Sequence, residues 1–337
     1  MRLNKRLLFI YVLMFVLLFL VFLFSLAYNL NEMSFFNALN ALFNSKDENI
    51  RIIIEVIRFK KIMMICIAGA VLGGSGSVFQ AILKNPLADP FTLGISGGAA
   101  LGASIAFMSG LASTMSFFTP LFAFTGAALS IFTVYLFGLK GGFNSNIMIL
   151  SGVVVSYIFS SAVMFIFALS QSAGVQQSFI WLMGDFSTFD ERLMPFVAVT
   201  AGTGLSILSL SGNIIDAISL GREKSESLGN NTERNVRIIF LITSLIVASV
   251  VSVCGVVSFV GLMIPHIMRR FVGARAVFLI PASILGGALF LLLCSTLSEI
   301  LFSPVVIPAG IITSILGGFF FIFLLLKVKK NSLYDTN

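Results

Sequence analysis

Fifty consecutive residues, 90–139, carry no charge. A single helix crosses the hydrocarbon core of a bilayer with roughly 20 apolar residues, so this run is enough for two crossings. Ser109-Gly110 and Thr119-Pro120 supply the breaks, which predicts helices over 91–108 and 120–139. The rest of the chain follows the same habit. Of its 337 residues, 58% are hydrophobic and only 10% are charged, against roughly 25% charged in soluble domains. These values exclude a soluble globular enzyme and a disordered chain. The unbroken apolar runs argue against a β-barrel, whose segments alternate and are short. The expected fold class is all-α integral membrane, one domain over 1–337.

Uncharged runs place ten crossings: 7–30, 62–83, 91–108, 120–139, 147–169, 193–212, 236–254, 256–268, 276–298 and 307–326. The basic N-terminus and the run after it resemble a signal peptide, with a small-x-small site at Ser25-Leu26-Ala27. At 24 residues the run is longer than a typical h-region, so it reads as a retained crossing. Trp181, in a polar connection, suits a membrane interface. With both termini inside, fifteen Lys and Arg fall on inner loops and six on outer ones. That is the positive-inside pattern for N-in and C-in. The net charge of +7 is thereby a matter of membrane topology and not of nucleic acid.

Residues 238–268 form a 31-residue uncharged run with basic residues at both ends. Equal flanks demand an even number of crossings, yet two full helices and a turn need about 40 residues. Dividing the run at Cys254-Gly255 leaves a second leg of 13 residues, about 20 Å at 1.5 Å each. Such a leg cannot face lipid along its length. It must be shielded by protein or line a cavity, as segments of transport paths do.

Chemistry-bearing motifs are few. Cys66, Cys254 and Cys294 sit in apolar runs with no metal-ligand spacing. His266 is the lone histidine and reads as structural. There is no G-x-x-x-x-G-K-[S/T] phosphate loop, no H-E-x-x-H and no G-x-S-x-G. The middles of the crossings lack ionisable groups, which disfavours an ion-driven secondary transporter. Gly69 and Gly73, and Gly94, Gly98 and Gly102, recur every fourth residue. This spacing lets helix backbones approach closely.

Several motifs then occur in order. Asn85-Pro86-Leu87-Ala88-Asp89-Pro90 follows Gly76 and Gln80 and precedes Leu93-Gly94-Ile95-Ser96-Gly97-Gly98. A charged loop runs from Gly221 to Leu228-Gly229. Gly255 and Phe259-Val260-Gly261-Leu262 lead to Pro265-His266 and Arg269, and Ile307-Pro308-Ala309-Gly310 closes the series. Over roughly residues 50–326 the chain resembles the FecCD family of ABC-importer permeases, which carry iron–siderophores, haem and vitamin B12.

The resemblance implies a ten-helix permease without cofactor or metal of its own, and no enzyme activity. ATP and magnesium would belong to two partner ATPase subunits. The other partners implied are a second permease chain and an extracytoplasmic substrate-binding lipoprotein, all in the cell membrane. It implies an ATPase-coupling loop at 213–235, with Gly221, Arg222, Glu223, Lys224, Glu226, Leu228 and Gly229. It places Arg58 and Lys61 where the family docks the lipoprotein, and Asn144 and Ser145 at a cytoplasmic gate. Asn85, Pro86, Asp89, Pro90, Gly261, Pro265, His266 and Arg269 are its structural motifs. The chain also departs from the pattern. Lys61 replaces an arginine, Ser295 and Glu299 replace D-x-x-x-R, and Val306 replaces a glutamate. With Glu299 at a docking position, asymmetric docking and a pair of different permease chains are expected. A ferric siderophore is the expected cargo, with haem or cobalamin as alternatives.

Overall fold

A computed structural model describes residues 5–28, 57–170, 174–186, 189–302, 305 and 307–332. The end of the first predicted crossing, the polar stretch with Lys46 and Arg51, and Val306 lie outside the described residues. The helices are α1 (Lys5–Ala27), α2 (Phe59–Ile82), α3 (Ile95–Met108), α4 (Leu111–Thr114), α5 (Phe118–Lys140), α6 (Ser145–Leu169) and α7 (Gly174–Leu182). They continue with α8 (Met194–Leu210), α9 (Gly212–Ser219), α10 (Arg222–Ser227), α11 (Thr232–Cys254), α12 (Val260–Val272), α13 (Ala276–Phe302) and α14 (Ala309–Ser332). Among the described residues there is no strand.

Seven of these are long and apolar enough to cross a membrane: α1, α2, α5, α6, α8 with its leading 3₁₀ turn, α11 and α13. Two shorter apolar helices accompany them, α3 and the 309–324 part of α14. The protein is a multi-pass α-helical membrane protein.

Helix α2 is the axis of the fold. Met64, Ala68, Val71, Val78 and Phe79 have no exposed surface. Lipid offers no hydrophobic drive between helices, so close packing must hold them. Here glycine supplies it. A Cβ on Gly69 would stand 2.3 Å from the carbonyl oxygen of Gly287, and one on Gly73 would stand 2.3 Å from that of Ser283. The α2 and α13 backbones therefore touch directly. Gly98 against Gly126 and Gly102 against Phe122 do the same for α3 and α5. The four-residue glycine spacing is a packing device. By contrast α1 lies at the periphery, with exposed Phe9, Phe15, Phe19 and Leu20.

Four differences from the sequence-based expectation bear on the site. The third helix starts at Ile95, because 83–94 is spent on turns and Gly94 sits at φ +84°. Its 14 residues span only about 21 Å. The 13-residue leg is Val260–Val272 and not 256–268. Residues 255–259 are non-helical backbone, with Gly255 at φ +75° and Phe259 at φ +68°. Glu299 lies within α13, which runs to Phe302, and not in a connection. Trp181 is 9% exposed, so it is an interior side chain.

Candidate functional site

Residues 255–259 are shielded by protein on two sides. A Cβ on Gly255 would stand 2.1 Å from the Trp181 carbonyl oxygen, and one on Gly310 would stand 2.1 Å from that of Met183. The 181–184 turn and the start of α14 thus enclose this stretch. It is irregular backbone covered by protein, the condition under which such backbone is tolerated at membrane depth.

Helix α12 follows, and its packing explains the sequence motifs around it. Pro265 lies inside it and has no N–H, so the Gly261 carbonyl four residues earlier loses its helical partner. The Gln80 side chain supplies one: Nε2 donates to the Gly261 and Leu262 carbonyls, each at 3.3 Å. Gln80 Oε1 accepts from Arg269 Nη2 at 3.0 Å. Gly261 has no room for a side chain, because its Cβ would lie 2.7 Å from Asp89 Oδ1. A Cβ on Gly76 would lie 1.9 Å from the Gly261 oxygen.

The loop before α3 completes this slot. Asn85 Oδ1 accepts from the Leu87 N–H at 2.8 Å, and Pro86 sits between them. Thr92 Oγ1 donates to the Asp89 carbonyl at 2.8 Å. Burial pushes the Asp89 carboxyl up to about 7, and the Phe91 N–H acts weakly in the other direction. Pro90 Cδ is 3.1 Å from the Gly261 Cβ position. So Asn85, Pro86, Asp89, Pro90, Gly261, Pro265 and Arg269 belong to one joint. His266 does not join it; its ring meets Phe320 of α14 edge-on at 5.8 Å.

One end of the molecule carries the 213–235 segment. Gly221 at φ +110° and Gly229 at φ +82° bound the six-residue α10, since the left-handed region is open to glycine. Arg222 pairs with Glu226 at 2.8 Å and reaches Glu233 at 3.7 Å. Glu233 also pairs with Arg237. Ser225 is buried, whereas Glu223 and Lys224 are exposed. Leu220 and Leu228 are 59% and 64% exposed, two apolar side chains flanking the charged helix. Nearby, the Arg237 guanidinium lies 5.5 Å over the Phe143 ring. Phe143 begins the turn into α6, where Asn144 Oδ1 accepts from the Asn146 N–H at 2.9 Å. Asn144 is thus the N-cap, and Ser145 is the first helical residue.

The opposite end is different. Lys61 Nζ stands 2.6 Å from Glu299 Oε1, with both side chains under a quarter exposed. Lys60 pairs with Glu191. Arg58 donates to the Tyr28 carbonyl; burial pushes its guanidinium down from the usual range, and Glu299 partly offsets this. The residues expected to dock a lipoprotein, Arg58, Lys61 and Glu299, are therefore brought together. A separate cleft of about 330 Å³ is lined by Ser116, Gln177, Trp181, Asp185 and Asp190. The Ser116 hydroxyl, 2.6 Å away, holds the Asp190 carboxyl below the usual carboxylate range. Among the described residues, no group of three or more His, Cys, Asp or Glu could hold a metal.

Comparison with known proteins settles the family. The family model described as the FecCD transport family matches residues 17–327. The chain belongs to the FecCD transport family. It is 36% identical over 301 residues to a Methanocaldococcus jannaschii protein named as an ABC transporter permease, covering 86% of each. It is 32% identical over 280 residues to the Fe(3+)-citrate import system permease protein YfmE of Bacillus subtilis, covering 83% of each. A solved metal-chelate type ABC transporter in an inward-facing conformation superposes with a TM-score of 0.82 at 28% identity. That match covers 94% of this chain and 99% of the other. This FecCD chain is a membrane transport subunit and not an enzyme.

Three contributors escaped the sequence reading. Gln80 stands among the motif residues with no role visible in the sequence alone; its signal is Pro265 four residues after Gly261. Asp216 Oδ1 accepts from the Ala276 N–H at 2.5 Å, and its signal is that it is the only charge in 193–221. Leu220 escaped as an exposed apolar side chain beside the charged helix, because apolar residues in a membrane protein draw no notice.

Proposed function

We propose that this chain is the permease subunit of an ATP-driven importer that moves a ferric siderophore or similar metal chelate inward. Ten crossings would be completed by α3, α12 and α14, with both termini cytoplasmic. The gathering of Arg222, Lys224, Arg234, Arg237, Arg269, Arg270 and Arg275 near one end supports that orientation through the positive-inside rule.

The observation that carries the reading is the glycine-bounded α10 with exposed Glu223, Lys224, Leu220 and Leu228. It offers a compact handle of mixed charge and apolar surface to a cytosolic ATPase. Two ATPases and a second permease chain, different but related, would complete the complex. An extracytoplasmic lipoprotein would deliver cargo at the opposite end, near Arg58 and Lys61. Glu299 is engaged with Lys61, which supports unequal docking by two permease chains. Asn144 and Ser145 would lie at the cytoplasmic gate, tied to α11 through Phe143 and Arg237.

The test is reconstitution of the chain with its neighbouring components, followed by uptake of ferric citrate, a ferric hydroxamate, a ferric catecholate, haem and cobalamin. Entry of a ferric chelate is expected. Entry of cobalamin alone would overturn the cargo assignment, and entry without the ATPase would overturn the function.

A further inference from the structure

We infer that Asp216 is the joint through which the α9–α10 segment moves α13. The inference rests on the proposal that this segment receives an ATPase. Asp216 lies on α9, an amphipathic helix whose inner face is Gly212, Ile215, Ala217 and Ile218. Gly212 and Asp216 are four residues apart and share a helix face. Both meet the first turn of α13. A Cβ on Gly212 would lie 2.8 Å from the Val277 Cα, and Asp216 Oδ1 accepts from the Ala276 N–H at 2.5 Å.

Ala276 opens a 27-residue helix, whose first four N–H groups have no helical partner and whose dipole favours an anion there. A carboxylate from another helix fills that place, so α9 and α13 are tied by a charge-assisted bond. The second oxygen, Oδ2, is enclosed with no hydrogen-bond partner among the described residues. Packing alone would be served more cheaply by an apolar residue, because a buried unpaired polar atom is costly. Departures of this kind are expected where function overrides stability.

The far side of the joint is rigid. From Ala276 the helix runs along α2 with backbones in contact at Gly287 and Gly69, and at Ser283 and Gly73. At its other end Glu299 holds Lys61 of α2. A shift of α9 therefore displaces the α2–α13 pair as one body, from the α10 end to the Lys61–Glu299 end.

Asp216 is a positioning residue, and its test separates motion from assembly. The complex of this chain with its ATPase, in nanodiscs, carries spin labels at Met115 and Val305, both at the end away from α10. The distance between them is measured without nucleotide and with ATP and vanadate. Asp216→Ala is expected to abolish the nucleotide-dependent change in complexes that co-purification shows still to hold the ATPase. Asp216→Asn, which keeps an acceptor for the Ala276 N–H, is expected to restore it. Ala276→Pro removes the donor at a helix position proline tolerates, and should reproduce the alanine result. A full distance change in Asp216→Ala or Ala276→Pro would overturn the inference. Failure of the underlying proposal reads differently: Leu228→Asp would then leave ATPase binding intact.

Discussion

The two ends of the α2–α13 pair handle charge in opposite ways. At the α10 end Arg222, Glu226, Glu233 and Arg237 pair within their own segment, Glu223 and Lys224 stand in solvent with no side-chain partner among the described residues, and the half-buried Asp216 accepts from a helix terminus. At the other end Lys60 and Lys61 are each matched by an acid from elsewhere in the chain, Glu191 and Glu299. Between them the helices touch through glycine, with no side chain to absorb motion. The difference teaches a division of labour. Exposed, unmatched groups are available to a permanent partner. Matched groups are held in reserve, to be exchanged only when a partner brings competing charge.

The comparison breaks first if the shared body is broken. Gly69→Val would drive a Cβ against the Gly287 carbonyl oxygen of α13 at 2.3 Å. The expected cost is at or beyond the ~3 kcal/mol typical of severe overpacking. It should appear as loss of monodisperse protein in detergent. Gly202→Val, where nothing lies within 4 Å, serves as the control and should be recovered normally.

Next comes the α10 end alone. Leu228→Asp together with Glu223→Lys should weaken ATPase association at least tenfold, read by co-purification, with thermal stability unchanged. Equal loss from Glu299→Gln would erase the distinction between the ends.

A third prediction concerns the joint near α12. The Asp89 carboxyl is raised to about 7 by burial, so the folded chain binds a proton that the unfolded chain, near the ordinary carboxylate value, releases. Stability is therefore greatest at low pH, declines as pH rises from about 4 to about 7, and is flat above that. Thermal unfolding from pH 5 to 8 should show the decline, and Asp89→Asn should remove this component of it. A pH dependence unaltered by Asp89→Asn would contradict the assignment.

The smallest effect belongs to the reserve charges. Glu299→Gln should cost about 1 kcal/mol or less of stability, as partly exposed pairs do. Freed from its partner, Lys61 should bind an acidic lipoprotein surface severalfold more tightly at low salt, read by surface plasmon resonance. Docking that is unchanged at low salt would mean the pair is not competed for.

Much of this was legible in the sequence. The uncharged runs located the long helices, because burying a charge in lipid is expensive wherever it falls. The charged loop between Gly221 and Gly229 was visible, and both glycines take backbone that few other residues tolerate. The 31-residue run revealed a leg too short for lipid, although its helix begins at Val260. That start depends on Phe259 taking a left-handed conformation that its side chain does not advertise. The ion pairs were not legible. Lys61 and Glu299 are 238 positions apart, and only the crossing of α2 and α13 brings them together. Asp216 was hidden for the same reason, its partner being a backbone N–H 60 residues away.

The most direct test of the whole account is uptake of radiolabelled ferric citrate by proteoliposomes holding the assembled importer. Two conditions are compared: a hydrolysis-deficient ATPase subunit, and an intact one with a protonophore present. The account predicts that uptake stops in the first and continues in the second. Uptake that survives the disabled ATPase and collapses with the proton gradient would contradict it.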